Sequence, residues 1–420
     1  MATNNVILTP KVMAGLVLMS LGNRLHVAQN MSKAITKEFA KPSYKVGDTV
    51  QVRKPYRFAG GEGMDFDPEP LVDQVTPITV STIKHVHFAW ELPQYTLDIR
   101  EAMELYADPA GEALANQWNA AAATHAADNA LNSVGTPGSV PTGMSTYLAA
   151  GDVLTELGLP DDQNLSLVVN RRMSSAYVSG TQGLFNPAGT IGAQYSKGKM
   201  QDAFDYKVYL DQTINTHTNG TWTTVGLVNA ASQAADGGNN ATMTLNTDGW
   251  TSGGTSLKKG DRFVLGSDTS ATVGGVESVH PQTRKTTQRQ QVFTVQNDIS
   301  DTTGTVNMVV APAITPSGQY QNVNISPVDN AIITMIGSSG AVATQGLLLH
   351  KNAFAFVSVP LAEPPSGTGV KTTRITDPDT GLSILYTQFT TGQNMVTGHR
   401  FDTLGAIGNM YREMAVVIQA

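Results

Sequence analysis

NAFAFVSVPL (Asn352–Leu361), TDPDTGLSILYTQF (Thr376–Phe389) and HRFDTLGAIGNMYREMAVVI (His399–Ile418) are apolar runs cut by Asp-Pro-Asp and by glycines. Runs this short, bounded by residues whose backbone angles a ladder cannot continue through, read as buried strands. Leu347–Leu361 and Ser383–Phe389 are the core of that reading, and LSLVVN (Leu165–Asn170) has the same character. No nucleophile, acid–base pair or ligand spacing interrupts these strands.

Outward from them, Asn219 to about Asn330 is punctuated by Asn219-Gly220, Asp236-Gly237-Gly238, Asp248-Gly249, Gly253-Gly254 and Pro316-Ser317-Gly318. Between the turns lie TWTTVGLV, ATMTLNT, DRFVLG, QVFTVQ, TVNMVVA and QNVNIS. Short strands with regular turns predict a small all-β barrel or sandwich, with Trp222 and Trp250 packing its core. Helix-bearing segments flank it, so it reads as an insertion.

Towards the start of the chain, Val12, Leu16, Met19, Leu25, Val27 and Met31 recur at roughly helical spacing, which predicts a helical arm over Thr9–Phe39. The period then falls to two: Val50 and Val52, and later Ile78, Val80, Val86, Phe88 and Trp90, alternate with polar neighbours. The Gly-, Pro- and Asp-rich PYRFAGGEGMDFDPEPLVDQ between them reads as the tip of a long two-stranded ribbon. An isolated ribbon is marginal in water and needs a surface to lie on. A spine helix is predicted over Asp98–Asn132, with a fresh start at Asp108-Pro109, and Thr146–Leu157 predicts a shorter helix.

Composition narrows the function classes. The 420 residues suggest two or three domains, and only 15% are charged, against roughly 25% in average soluble proteins, so neutral surface is left for copies of the same chain. A net charge of -7 argues against tight binding to phosphate backbones. The chain has no cysteine, which excludes disulfides and thiolate chemistry. The apolar run Val12–Leu21 is too short to span a bilayer and is followed by Arg24 and His26, not by a cleavage site, so synthesis in the cytoplasm without signal or anchor is expected.

Candidate chemistry is sparse. GSSGAVATQG (Gly337–Gly346) has the glycines of a phosphate loop without its lysine and reads as a turn. His85 and His87 project from one strand face, as two metal ligands would, but no third ligand is identifiable and a polar outer face is the simpler reading. Asp65, Asp67 and Glu69 lack the pattern of a calcium loop. A sharper expectation is that the tip acids, Glu62, Asp65, Asp67 and Glu69, meet basic residues of a neighbouring subunit, with Arg53, Lys54 and Arg57 as reciprocal candidates. Arg284, Lys285 and Arg289 lack interleaved aromatics and read as a solvated loop. Val12, Leu16 and Met19 are the corresponding interface candidates on the arm. No catalytic, cofactor or metal site is expected.

Together with GTIGAQYSKGKMQDAFDYKVYLDQTINTHT (Gly189–Thr218), and with LKKGDRFVLG and GVESVHPQTRKTTQRQQVFTV between Leu257 and Val295, the opening stretch resembles the major coat proteins of short-tailed double-stranded DNA phages, the P-twenty-two-like coat family. That resemblance implies an α+β tailed-phage capsid fold of the Hong Kong 97 type. It implies an N-terminal arm (residues 1–40), an extended loop (41–93), a spine helix and peripheral domain (94–141), and an axial domain in two parts (142–217 and 347–393). These would be accompanied by an inserted β-barrel (218–346) and a C-terminal strand of the peripheral domain (394–420).

It further implies a structural role without catalysis: pentamers and hexamers forming an icosahedral procapsid in the bacterial cytoplasm, which expands as DNA enters. The implied partners are itself, a scaffolding protein, a portal protein, a decoration protein as a further option, and packaged DNA through weak non-specific contact. The arm and ribbon would carry assembly because their apolar faces cannot be buried within one subunit. Two rivals fit less well. A secreted surface-layer or adhesin protein should carry an export signal, and a polysaccharide-degrading enzyme should single out a carboxylate pair.

Overall fold

A computed structural model describes residues 10–33, 49–58, 71–91, 106–159, 162, 164–180, 206–268, 274–363, 370–377, 381–391 and 396–420. Among them the fold is α+β and mostly strand, with four α-helices. The chain divides into two compact units: Met1–Gln51, Pro77–Ala122 and Ala355–Gly408 form the first, and Val52–Thr76, Ala123–Phe354 and Asn409–Ala420 the second.

In the first unit, helix α1 (Pro10–Arg24) lies on the strands Val370–Thr376 and Ser383–Thr391. Its apolar stripe, Met13, Ala14, Val17, Leu18 and Leu21, is buried. This corrects the expectation of an arm whose apolar face finds no cover in its own subunit. The helix is also shorter than its periodicity suggested. Asn119 stops it: the Nδ2 donates to the Arg24 carbonyl at 2.8 Å and the Oδ1 accepts from the Val27 amide at 3.2 Å. Leu25, Val27 and Met31, which kept the helical spacing, are buried in the turn that follows.

Helix α2 (Asp108–Asn129) begins at the predicted Asp-Pro restart, and its 22 residues span about 33 Å. Its part in the first unit is lined by small residues, which lets α1 come close. A Cβ on Gly111 would stand 2.7 Å from Ser20 Cβ and 3.0 Å from the Val17 carbonyl. Trp118 packs edge-on against Phe356, with ring centroids 5.3 Å apart, and donates to Thr403 Oγ1 at 2.9 Å.

The sheet of this unit runs Phe354–Val359, Val396–Asn409, Ser383–Thr391, Val370–Thr376, and Thr82–Glu91 also pairs with Val396–Asn409. That last pairing changes the expected ribbon. Residues Ile83–Ala89 keep the alternation read from the sequence, but they join this sheet and leave the ribbon at Val80–Ser81. Alternation reveals a strand and not its partner. Tyr386, His399, Phe401 and Phe88 form the aromatic centre; the Tyr386 hydroxyl lies 2.5 Å from His399 Nδ1. Burial pushes the His399 imidazole down to about 4.

In the second unit a sheet runs Asn132–Gly135, Ala415–Gln419, Val342–His350, Leu165–Val169, Lys207–Leu210, with Thr216–Thr218 also paired to Val342–His350. Helices α3 (Met144–Glu156) and α4 (Arg171–Gly180) share its core, in which Tyr147 and Tyr177 meet edge-on at 5.5 Å. Six strands close a barrel in the order Arg262–Asp268, Val292–Val295, Val306–Ala311, Met243–Asp248, Leu227–Val228, Ala331–Met335. Phe263 and Phe293 stack inside it at 5.7 Å, with Leu245, Leu265, Met308 and Ile333 around them. QNVNIS is not one of its strands, for Val323 makes only an isolated bridge to Ser278. The sixth position is filled by Ala331–Met335, which the sequence reading passed over.

The C-terminal end of α2 belongs to this unit and is clasped by side chains from far along the chain. The Ala127 carbonyl accepts from Arg262 Nη2, the Asp128 carbonyl from Gln296 Nε2 at 3.2 Å, and the Asn129 carbonyl from Arg412 Nε at 2.9 Å. These are carbonyls a helix cannot satisfy itself, at the negative end of its dipole. Both arginines are 2% exposed, and burial pushes each guanidinium down to about 10.

Candidate functional site

The sequence reading placed its interface candidates on the ribbon and the arm. The ribbon consists of Thr49–Arg53 paired with Val75–Thr79, and the Lys54 amide donates to the Gln74 carbonyl at 2.9 Å beyond the last strand residues. Val52–Thr76 lies in the second unit, where three segments of the same chain meet it.

The first is the turn Tyr411–Met414. Arg57 Nη2 pairs with Glu413 Oε1 at 2.6 Å, and Lys54 Nζ sits over the Tyr411 ring, 4.7 Å from its centroid. Desolvation pushes the Lys54 ammonium down to about 8, partly opposed by Glu413. Its Nζ, Arg412 Nη2 and Glu413 Oε2 are buried without hydrogen-bond partners. Such a cluster holds by charge in a drained setting, but unmade hydrogen bonds subtract from its stability.

The second and third segments are loops of the barrel. The Val72 amide donates to Gln319 Oε1 at 2.9 Å, and the Tyr320 hydroxyl donates to the Val72 carbonyl at 3.1 Å. Gln74 Nε2 donates to the Gly237 carbonyl, while Asn240 Nδ2 donates to Gln74 Oε1 at 3.3 Å. Gly238 lets these loops close up: with φ of +57°, its missing Cβ would stand 2.4 Å from the Tyr320 carbonyl.

The paired strands bury Val50 and Ile78, while the apolar side chains towards the open end of the ribbon stay outside. Tyr56 (40%), Phe58 (62%), Leu71 (61%), Val72 (52%) and Val75 (41%) are all exposed. These five side chains are the exposed apolar surface of the described part of the ribbon.

Of the basic candidates, Arg53 is exposed, whereas Lys54 and Arg57 are engaged within their own chain. Glu62, Asp65, Asp67 and Glu69 lie outside the described residues. On the arm, Met19 is 65% exposed and Leu16 half-buried; Val12 lies on α1, with its side chain outside the description. His85 and His87 stack at 5.5 Å on an exposed face, and among the described residues no group of three His, Asp or Glu is placed to hold a metal ion. Arg289, read as part of a basic loop, donates to both oxygens of Glu156, at 2.8 and 3.3 Å.

The seat itself was not read from the sequence. Gln319, Tyr320, Tyr411 and Glu413 carry no spacing that ties them to Lys54 and Arg57. The one available signal was the polar Tyr-Arg-Glu step inside an otherwise apolar terminal run.

The family model described as "P22 coat protein - gene protein 5" matches residues 1–418. Among solved structures, the chain is similar to one from Mycobacterium phage Che8, with 11% identity over 93% of this chain and 90% of that one, at a TM-score of 0.48. The capsid of the cyanophage P-SCSP1u is similar at 10% identity, over 94% and 97% of the two chains, with a TM-score of 0.41. The mature capsid of bacteriophage PhiM1 is similar at 8% identity, over 89% and 82%, with a TM-score of 0.41. No curated protein matches the chain.

Proposed function

Because the chain belongs to the P22 coat protein family and is a phage capsid protein of the virion shell, we propose that it assembles through pentamers and hexamers into an icosahedral head around double-stranded DNA. The family match over residues 1–418 carries this reading. In the same reading the fold is of the Hong Kong 97 type, with residues 41–93 as its extended loop and the barrel within 218–346 as an inserted domain. A scaffolding protein guides a procapsid that later expands, and a portal protein is its further partner, with a decoration protein as an option.

The physical logic is that many modest contacts to one neighbour act cooperatively, since once some are made the rest become effectively intramolecular. Closed symmetry then limits growth. The exposed strip Tyr56, Phe58, Leu71, Val72 and Val75, together with Met19, supports this role. The net charge of -7 suits a container that holds DNA without gripping it. Arg53 and the tip acids Glu62, Asp65, Asp67 and Glu69 remain the proposed charged contacts between subunits.

Electron microscopy of the chain expressed with its scaffold tests the proposal. Uniform closed shells are expected; open sheets, fibres or only dispersed monomers under every partner condition would overturn it.

A further inference from the structure

We propose that His85 and His87, on the outer face of the strand Thr82–Glu91, form a two-imidazole site for a divalent transition metal, taking Cu²⁺ in preference to Ni²⁺ and Zn²⁺ and leaving Mg²⁺ and Ca²⁺ in solution. The site lies wholly within the first unit, and its occupancy does not depend on the assembly reading.

The two rings already lie side by side, with centroids 5.5 Å apart and planes 28° from parallel. Period-two alternation puts both on the face opposite Val86 and Phe88, and both are exposed. The strand that carries them is fixed in register, because Thr82–Glu91 pairs residue by residue with Val396–Gly405. Neither imidazole makes a hydrogen bond or an ion pair with a described residue, so no nitrogen has to be released before a metal takes it. Elsewhere the ring nitrogens are spent: His125 Nε2 is held by Asn409, His217 Nε2 by Asp261 and His350 Nε2 by Asp162. The ladder sets Asp402 opposite His85 and Arg400 opposite His87, and Arg400 Nε donates to Asp402 Oδ1 at 2.8 Å, so these two charges answer each other. A hard cation, which needs several oxygens, is therefore poorly served, whereas a borderline metal is served by the ring nitrogens themselves. One imidazole alone is a weak ligand. Two on one rigid strand act jointly, since binding the first nitrogen brings the second to a high effective concentration. With water completing the coordination, the site exchanges its metal, unlike a closed four-ligand structural centre.

Titration of the intact chain with Cu²⁺ tests the site, read by calorimetry and by the electron paramagnetic resonance of the bound copper. The absence of cysteine removes thiolates as competing ligands. One equivalent is expected to bind ahead of the rest, with splitting from two imidazole nitrogens in its spectrum. His85→Ala and His87→Ala should each weaken that equivalent roughly a hundredfold, the loss expected when two joined ligands become one. Both should leave the thermal melt unchanged, because the side chains are exposed and unbonded. The double variant gives the background of the remaining histidines. Ni²⁺ and Zn²⁺ should occupy the same place more weakly, and excess Mg²⁺ should leave the copper bound. Equal binding by the unaltered chain and either single variant, a spectrum showing only one nitrogen in the unaltered chain, or displacement by Mg²⁺ would overturn the site. The assembly reading would stand in each of those cases, since it is judged by shells and not by metal.

Discussion

The barrel and the ribbon are both built of short alternating strands, yet one finishes its own burial and the other does not. In Met243–Asp248 every second side chain enters a closed interior, and Phe263 and Phe293 have no water left to meet. In the ribbon, two strands cannot curl around a core: Val50 and Ile78 are buried, but Tyr56, Phe58, Leu71, Val72 and Val75 stay exposed. The difference lies in closure and not in composition: a strand's pattern states a demand for cover, and the number of strands decides whether the chain can meet it alone.

The comparison can be broken or sharpened by experiment. Phe293→Ala should lower stability by about 3–5 kcal/mol in urea unfolding, whereas Phe58→Ala should change it by less than about 0.5 kcal/mol while reducing shell yield. Equal losses from the two would show that the ribbon is part of the core after all. Arg262→Ala should cost about 3 kcal/mol, since the Ala127 carbonyl loses its donor and a cavity opens in a sealed site, and Arg262→Met should cost less because its side chain fills most of that space.

Gly111→Ala pits about 1 kcal/mol of gained helix propensity against overpacking on Ser20. A net loss of about 1–2 kcal/mol is expected, partly recovered by adding Ser20→Gly, and measured by thermal melts. The smallest effect concerns acid. His399 is held neutral by burial down to about 4, while the unfolded chain protonates near 6.5. Stability should therefore be complete above about pH 6.5 and decline as pH falls towards 4, by roughly 1–2 kcal/mol after allowing for water access. His399→Phe should flatten that slope; an unchanged slope would show that the imidazole protonates freely in the fold.

Elements whose reason is local were legible in the sequence. Helix α2 announces itself through Asp108-Pro109 and its alanines, and the barrel through turn pairs such as Asp248-Gly249. Features whose reason is distant were not. The stop of α1 depends on Asn119, more than ninety positions from Val27, and nothing in Pro10–Met31 hints at it. Thr82–Glu91 reads as a strand but reaches past the ribbon to Val396–Asn409, a choice made by the face it covers. The ribbon's basic residues were read as contacts to a neighbouring subunit, whereas Arg57 is held by Glu413 of its own chain, 356 positions away. Periodicity describes what a segment offers, and pairing depends on what the rest of the chain presents.

The clasp on α2 has a consequence for the order of events in synthesis. The carbonyls of Ala127, Asp128 and Asn129 await donors that lie 135, 168 and 283 positions downstream. A nascent chain thus carries this helix with a water-facing end until Arg412 has been made and has folded back. The end of the longest described helix is fully capped only in a chain translated past Arg412.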